Sequence, residues 1–116
     1  MKPESRKLLF DIEQACQRLI DFSAGRTLKD YLSDVYFQSA VERQFQVAGE
    51  ALKRLLQVDE SAPKCISEHR NIIGFRNILS HGYDIIDPYI VWDSLTNKVP
   101  TLLNEVKALL KEDKAE

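Results

Sequence analysis

Between His69 and Tyr83 the chain gathers His69, Arg70, Arg76, Asn77, Ser80, His81 and Tyr83, a set that includes both of its histidines. These residue types can do phosphodiester chemistry without a metal. A histidine, with an ordinary pKa of about 6.5, takes or gives a proton near neutral pH. An arginine offers a fixed fork of donors to a phosphate and stabilises the charge that builds as the bond breaks. RNA supplies its own nucleophile, the 2′-OH. No carboxylate cluster and no Cys/His set with ligand spacing points to a metal.

Helical spacing sorts these residues. With His69 set to zero and steps of about 100°, Arg76 falls at about −20° and Ser80 at about 20°, one polar stripe. Arg70, Asn77 and His81 fall at about 80° to 120°, a second stripe beside it. Ile72, Phe75, Ile78 and Leu79 spread over about 180° to 300°, which predicts the face turned to the core. Ile73 and Gly74, at about 40° and 140°, interrupt the polar arc, and an apolar residue beside a glycine there suggests packing by a partner subunit. Asn71, near about 200°, has no explanation on this wheel. A polar helix face is most often solvated, so His69 is read as a surface or interface residue and Arg70 as a surface or salt-bridging one.

The elements that must hold this segment are all helical. Leu8, Leu9, Ile12, Cys16, Leu19 and Ile20 form one apolar stripe, predicting a helix from about Ser5 to Phe22 that Gly25 closes. A short segment over Thr27–Leu32 follows, and Ser33 or Asp34 can cap a long helix reaching about Gln57. That helix carries Phe37, Val41, Phe45, Ala48, Leu52 and Leu55 on one stripe, with Gly49 marking a close approach of another helix. The fourth helix is predicted over Lys64–Ser80. Asp87-Pro88 reads as an N-cap with proline at the first helical position. Val91, Leu95, Val99, Leu102, Leu103, Val106, Leu109 and Leu110 then define the last helix, which Pro100 should kink. Short connections imply an all-α, up-and-down bundle of four long helices and one short one.

Composition agrees. At 116 residues, 44% hydrophobic and 29% charged, residues 1–116 read as a single helical domain, with the charged tail 111–116 frayed. Only 4 glycines and 4 prolines argue against an all-β fold, which turns every ten residues or so. Cys16 and Cys65 both read as small buried hydrophobes. No secretory pattern and no membrane-length apolar run is present, so a cytoplasmic location is expected. A net charge of −2 and a pI near 5.7 mean that any RNA contact must come from a local basic patch.

Arg76-Asn77-Ile78-Leu79-Ser80-His81-Gly82-Tyr83 resembles the Arg-x-x-x-x-His-x-Tyr signature of the HepT-like branch of the HEPN superfamily. The stretch from Ala40-Val41-Glu42-Arg43 through Gly49-Glu50-Ala51 is similar to the family's long helix, and Ile85–Trp92 to the start of its last one. The likeness spans about Leu8 to Leu110.

The resemblance implies a dimeric five-helix bundle with two copies of the motif facing one cleft. It also implies metal-independent endoribonuclease activity on transfer or messenger RNA, as the toxin of a toxin–antitoxin pair, with no cofactor. Its partner would be a nucleotidyltransferase antitoxin of the MntA type that transfers AMP to Tyr83. In this reading Arg76 binds phosphate, His81 moves the proton and Asn77 orients one or the other, while Ile73 and Gly74 form the dimer contact. Arg76 and His81 stand about 140° apart on a helix, so they flank a site. The alternative is a non-catalytic HEPN binding module that pairs with the nucleotidyltransferase and helps bind nucleotide or substrate.

Overall fold

The computed structural model describes residues 1–67, 69–74 and 87–115, with the backbone alone for Pro63, Lys114 and Ala115. Every regular element among them is helical.

Helix α1 (Pro3–Ser23) starts with proline in its first turn, where no intrahelical donor is lost, and an acidic Glu4 that suits the positive end of the helix dipole. Its predicted stripe is the core. Leu9, Ile12, Cys16 and Leu19 are wholly buried and Leu8 nearly so. The Ser23 hydroxyl donates back to the Leu19 carbonyl at 2.9 Å, and Gly25, at φ +73°, turns the chain away in a conformation that L side chains resist.

Helix α2 (Leu28–Ser33) begins with a capping box. Thr27 Oγ1 accepts from the Asp30 N–H at 3.2 Å, and Asp30 Oδ2 accepts from the Thr27 N–H at 2.9 Å. Asp34, one of the two caps expected, opens α3 (Val35–Val58) by accepting from the Phe37 N–H at 3.0 Å. Phe37, Val41, Phe45, Ala48, Leu52 and Leu55 are buried along α3, and so is Gly49. The stripes of α1 and α3 lie against each other, and α1 packs against the C-terminal helix as well.

The stretch after α3 departs from expectation. Asp59 Oδ1 accepts from the N–H groups of Ser61 and Ala62, at 3.0 and 3.2 Å, and from the Ser61 hydroxyl at 2.7 Å. These bonds nucleate a 3₁₀ turn at Ala62–Cys65. The fourth helix, α4, therefore starts after Ser67 and not at Lys64, and its described residues are 69–74. Cys65, expected in the interior, is exposed on that turn, while Cys16 is buried.

Asp87 caps α5 (Pro88–Asp93) as anticipated, accepting from the Tyr89 N–H at 2.9 Å. A π-helical turn at Ser94–Lys98 joins α5 to α6 (Val99–Ala115), and the Val99 N–H reaches back to the Ser94 carbonyl. In a regular α-helix the Pro100 ring would press on the Thr96 carbonyl. The wider turn just ahead of it is the form that disturbance takes. The tail from Lys111, expected to fray, is helical through Ala115. Arg6 Nε donates to Asp113 Oδ2 at 2.6 Å and ties it to α1.

Candidate functional site

Of the residues singled out for chemistry, Arg76, Asn77, Ser80, His81 and Tyr83 lie outside the described residues, as does the expected core-facing trio Phe75, Ile78 and Leu79. The structure describes how the chain is held on each side of them.

On the leading side, Ile66 is fully buried and Ser67 is clamped to α6. Its N–H and hydroxyl both donate to the Glu105 carboxylate, at 2.9 and 2.8 Å. His69 follows at once, half-buried, its N–H donating to the Ile66 carbonyl at 3.3 Å and its Nδ1 lying 2.9 Å from the same oxygen. That contact holds the half-buried imidazole against the backbone of the preceding turn.

In α4 itself the inward side differs from expectation. Ile72 is buried and Ile73 packs, partly buried, against the core, whereas Arg70, Asn71 and Gly74 are exposed. On the wheel the inward arc of this turn runs from about 300° through zero to about 40°. Ile73 therefore touches the chain's own core where a partner was anticipated. Asn71 no longer interrupts an apolar arc, because it stands on the outward one. Among the described residues nothing lies within 4 Å of where a Gly74 Cβ would project.

On the trailing side, Trp92 belongs to an aromatic cluster with Tyr31 of α2 and Phe37 of α3. Tyr31 meets Phe37 edge to face at 5.3 Å between ring centroids and lies 5.9 Å from Trp92, while Phe37 and Trp92 are 6.4 Å apart. The Arg26 guanidinium covers the Phe37 ring at 4.6 Å and reaches Asp34 Oδ2 at 3.2 Å. Burial, with the nearby Glu42 charge adding to it, pushes the Tyr31 phenol well above its ordinary range. It is a neutral packing residue. The chain is thus tied at Ser67 by charge-assisted bonds and at Trp92 by edge-on and tilted ring contacts.

Arg43 and Glu50, seven apart on α3, line one open groove of about 400 Å³ together with Asp11 and Arg54. Burial pushes the Cys16 thiol up to about 12, which makes it inert near neutral pH. Among the described residues no group of three or more His, Cys, Asp or Glu converges as metal ligands, and no helix is long and apolar enough to cross a membrane. The Ser67–Glu105 clamp escaped sequence reasoning, since a serine and a glutamate 38 residues apart carry no local signal.

The sequence pattern of the family described as Ribonuclease HepT-like matches residues 12–109. The chain is 32% identical to "Putative RNase MJ0127" of Methanocaldococcus jannaschii, covering 99% of this chain and 94% of that protein. It is 30% identical to "Putative RNase TTE0752" of Caldanaerobacter subterraneus subsp. tengcongensis, over 94% of this chain and 96% of the relative. It is 27% identical to "Probable ribonuclease HepT" of Thermococcus cleftensis, over 96% and 100% respectively. No solved structure matches. With an all-helical fold, an Arg76…His81-x-Tyr83 motif and a family match over most of its length, this chain belongs to the HepT-like ribonuclease family of the HEPN superfamily.

Proposed function

We propose that the protein is a metal-independent endoribonuclease that acts as the toxin of a toxin–antitoxin pair. The observation that carries this reading is the motif itself, Arg76-Asn77-x-x-Ser80-His81-Gly82-Tyr83, inside a chain that the family pattern matches over residues 12–109. In this reading His81 accepts the proton of the 2′-OH as its oxygen bonds to the adjacent phosphorus. As the P–O5′ bond breaks, the protonated His81 returns the proton to O5′, and the products are a 2′,3′-cyclic phosphate and a 5′-OH end. Arg76 pairs with the phosphate and stabilises the negative charge of the transition state, where a preorganised donor has its largest effect. Asn77 orients one of the two.

The active form is a homodimer, with the exposed surface at Gly74 and the part of Ile73 that its own core leaves uncovered as the contact, and two motifs around one phosphate. That no described residue comes within 4 Å of the Gly74 Cβ position supports this, since a glycine lets a partner helix approach closely. It also lets an acidic chain build a local basic cleft. A nucleotidyltransferase antitoxin silences the toxin by transferring AMP from ATP to the Tyr83 hydroxyl with release of pyrophosphate, which adds a bulky anion to the motif.

The test is cleavage of a mixed RNA pool in excess EDTA by the wild type and by His81→Ala prepared identically. Cutting by the wild type alone is expected. Equal cutting by both proteins, or by neither, contradicts the assignment, and the second result favours a binding module.

A further inference from the structure

A chain of net charge −2 must meet RNA through local charge, and one surface concentrates it. Helices α1 and α6 lie side by side and leave an open groove of about 560 Å³ between them. Arg6, Lys7 and Phe10 line it from α1, and Lys107, Leu110 and Lys111 from α6; Glu13 is the one carboxylate in its wall among the described residues. Phe10 is 48% exposed, which is unusual for a phenylalanine on a helix whose other face is the core, while Leu110 is half-buried and forms apolar floor.

The cations are not used up by the fold. Arg6 gives its Nε to Asp113 but keeps its side chain 56% exposed, and Lys7, which reaches Asp11 at 2.6 Å, is 70% exposed. Lys107 and Lys111 make no ion pair or hydrogen bond among the described residues. They are like charges at i and i+4, an arrangement that works slightly against the helix. Two lysines outside any ion pair, two exposed cations that each share a carboxylate, and an exposed ring on an apolar floor match what a single nucleic-acid strand presents: phosphates along one edge and flat bases along the other. At physiological salt these charges act within about 8 Å, so the groove attracts a phosphate chain despite the acidic whole.

We propose that the α1–α6 groove is an RNA-docking surface that holds a single-stranded segment of the substrate. A base stacks on Phe10, and the phosphates lie against Lys107 and Lys111. This rests on the ribonuclease reading of the motif and assigns the substrate a second contact that the motif does not supply.

The experiment measures binding of a fluorescein-labelled 2′-O-methyl oligouridylate, which has no 2′-OH to cut through, across a salt series. Wild type is compared with Phe10→Ala and with the double variant Lys107→Ala/Lys111→Ala. Phe10→Ala should weaken binding about tenfold. The double variant should lower the slope of log affinity against log salt by roughly 1.4, the share of two single-strand phosphate contacts. For a long RNA both variants should raise KM with kcat unchanged, and cleavage of a dinucleotide should not change. Cutting of RNA by all three proteins with equal affinity and salt slope overturns the groove alone. A wild type that neither binds nor cuts RNA overturns the ribonuclease reading together with it. Displacement of the oligonucleotide by poly-glutamate as readily as by poly-uridylate assigns the groove to an acidic protein segment and also overturns the proposal.

Discussion

The motif segment is held from two sides by anchors of opposite character. On the leading side, Ser67 hangs on the Glu105 carboxylate by two short hydrogen bonds at the surface. On the trailing side, Trp92 sits against Tyr31 and Phe37, rings that are almost fully buried. Water competes for the first and is excluded from the second. Exposed polar bonds contribute about 1 kcal/mol, whereas an aromatic side chain in a core carries about 3–5 kcal/mol. The trailing anchor is therefore part of the fold's stability, and the leading one mainly sets the direction in which α4 starts.

The strongest challenge to this contrast is Phe37→Ala. It should cost about 3–5 kcal/mol in denaturant unfolding, because the ring leaves a cavity between Tyr31 and Trp92 and strips Arg26 of its cation–π contact. A loss below about 1 kcal/mol would mean that the cluster closes around the gap and is no anchor. Glu105→Ala should cost only about 1 kcal/mol yet lower kcat for RNA cleavage about tenfold, through a misdirected start of α4. If kcat holds, the leading clamp has no part in positioning the motif.

Acid sharpens the same comparison. The Phe37 N–H bond and the Arg26 guanidinium hold the Asp34 carboxyl below the ordinary carboxylate range, despite some opposing desolvation. The Ser61 hydroxyl and the neighbouring backbone donors do the same for Asp59. A depressed folded pKa gives stability that is complete above the unfolded value, about 3.9, and is lost as pH falls through the folded one. The melting temperature should thus drop on acidification below about pH 4, and drop less in Asp59→Asn. Thiol chemistry gives the smallest perturbation. Cys65, exposed two residues before the Ser67 clamp, should react with a maleimide in the native protein, while Cys16 should react only on unfolding. Rapid reaction of both would place the α1 stripe outside the core.

Much of the architecture was legible because its causes are local. The stripes of α1 and α3, the Asp34 cap and the Asp87-Pro88 start follow from spacing and from side chains bonding their own backbone. The 3₁₀ turn at Ala62–Cys65 was missed, although Asp59-x-Ser61 carries the chemistry of a turn; the periodic look of the residues from Lys64 masked it. Ile73 was misjudged because one wheel was drawn for the whole fourth helix. Over 69–74 the inward arc is rotated by roughly 110° from that average. The α1–α6 groove had no signature at all, since Arg6 and Lys111 meet only through tertiary packing. The motif was legible as a family likeness in residue types, and the family match agrees with it.

The central claim is metal-free attack by the substrate's own 2′-OH with His81 moving the proton. A single-site RNA oligonucleotide and its copy with one 2′-deoxy sugar at the cleaved position test it directly, in EDTA. The account predicts a cyclic phosphate and a 5′-OH from the first and no cleavage of the second. Cleavage of the deoxy copy at a comparable rate would contradict it.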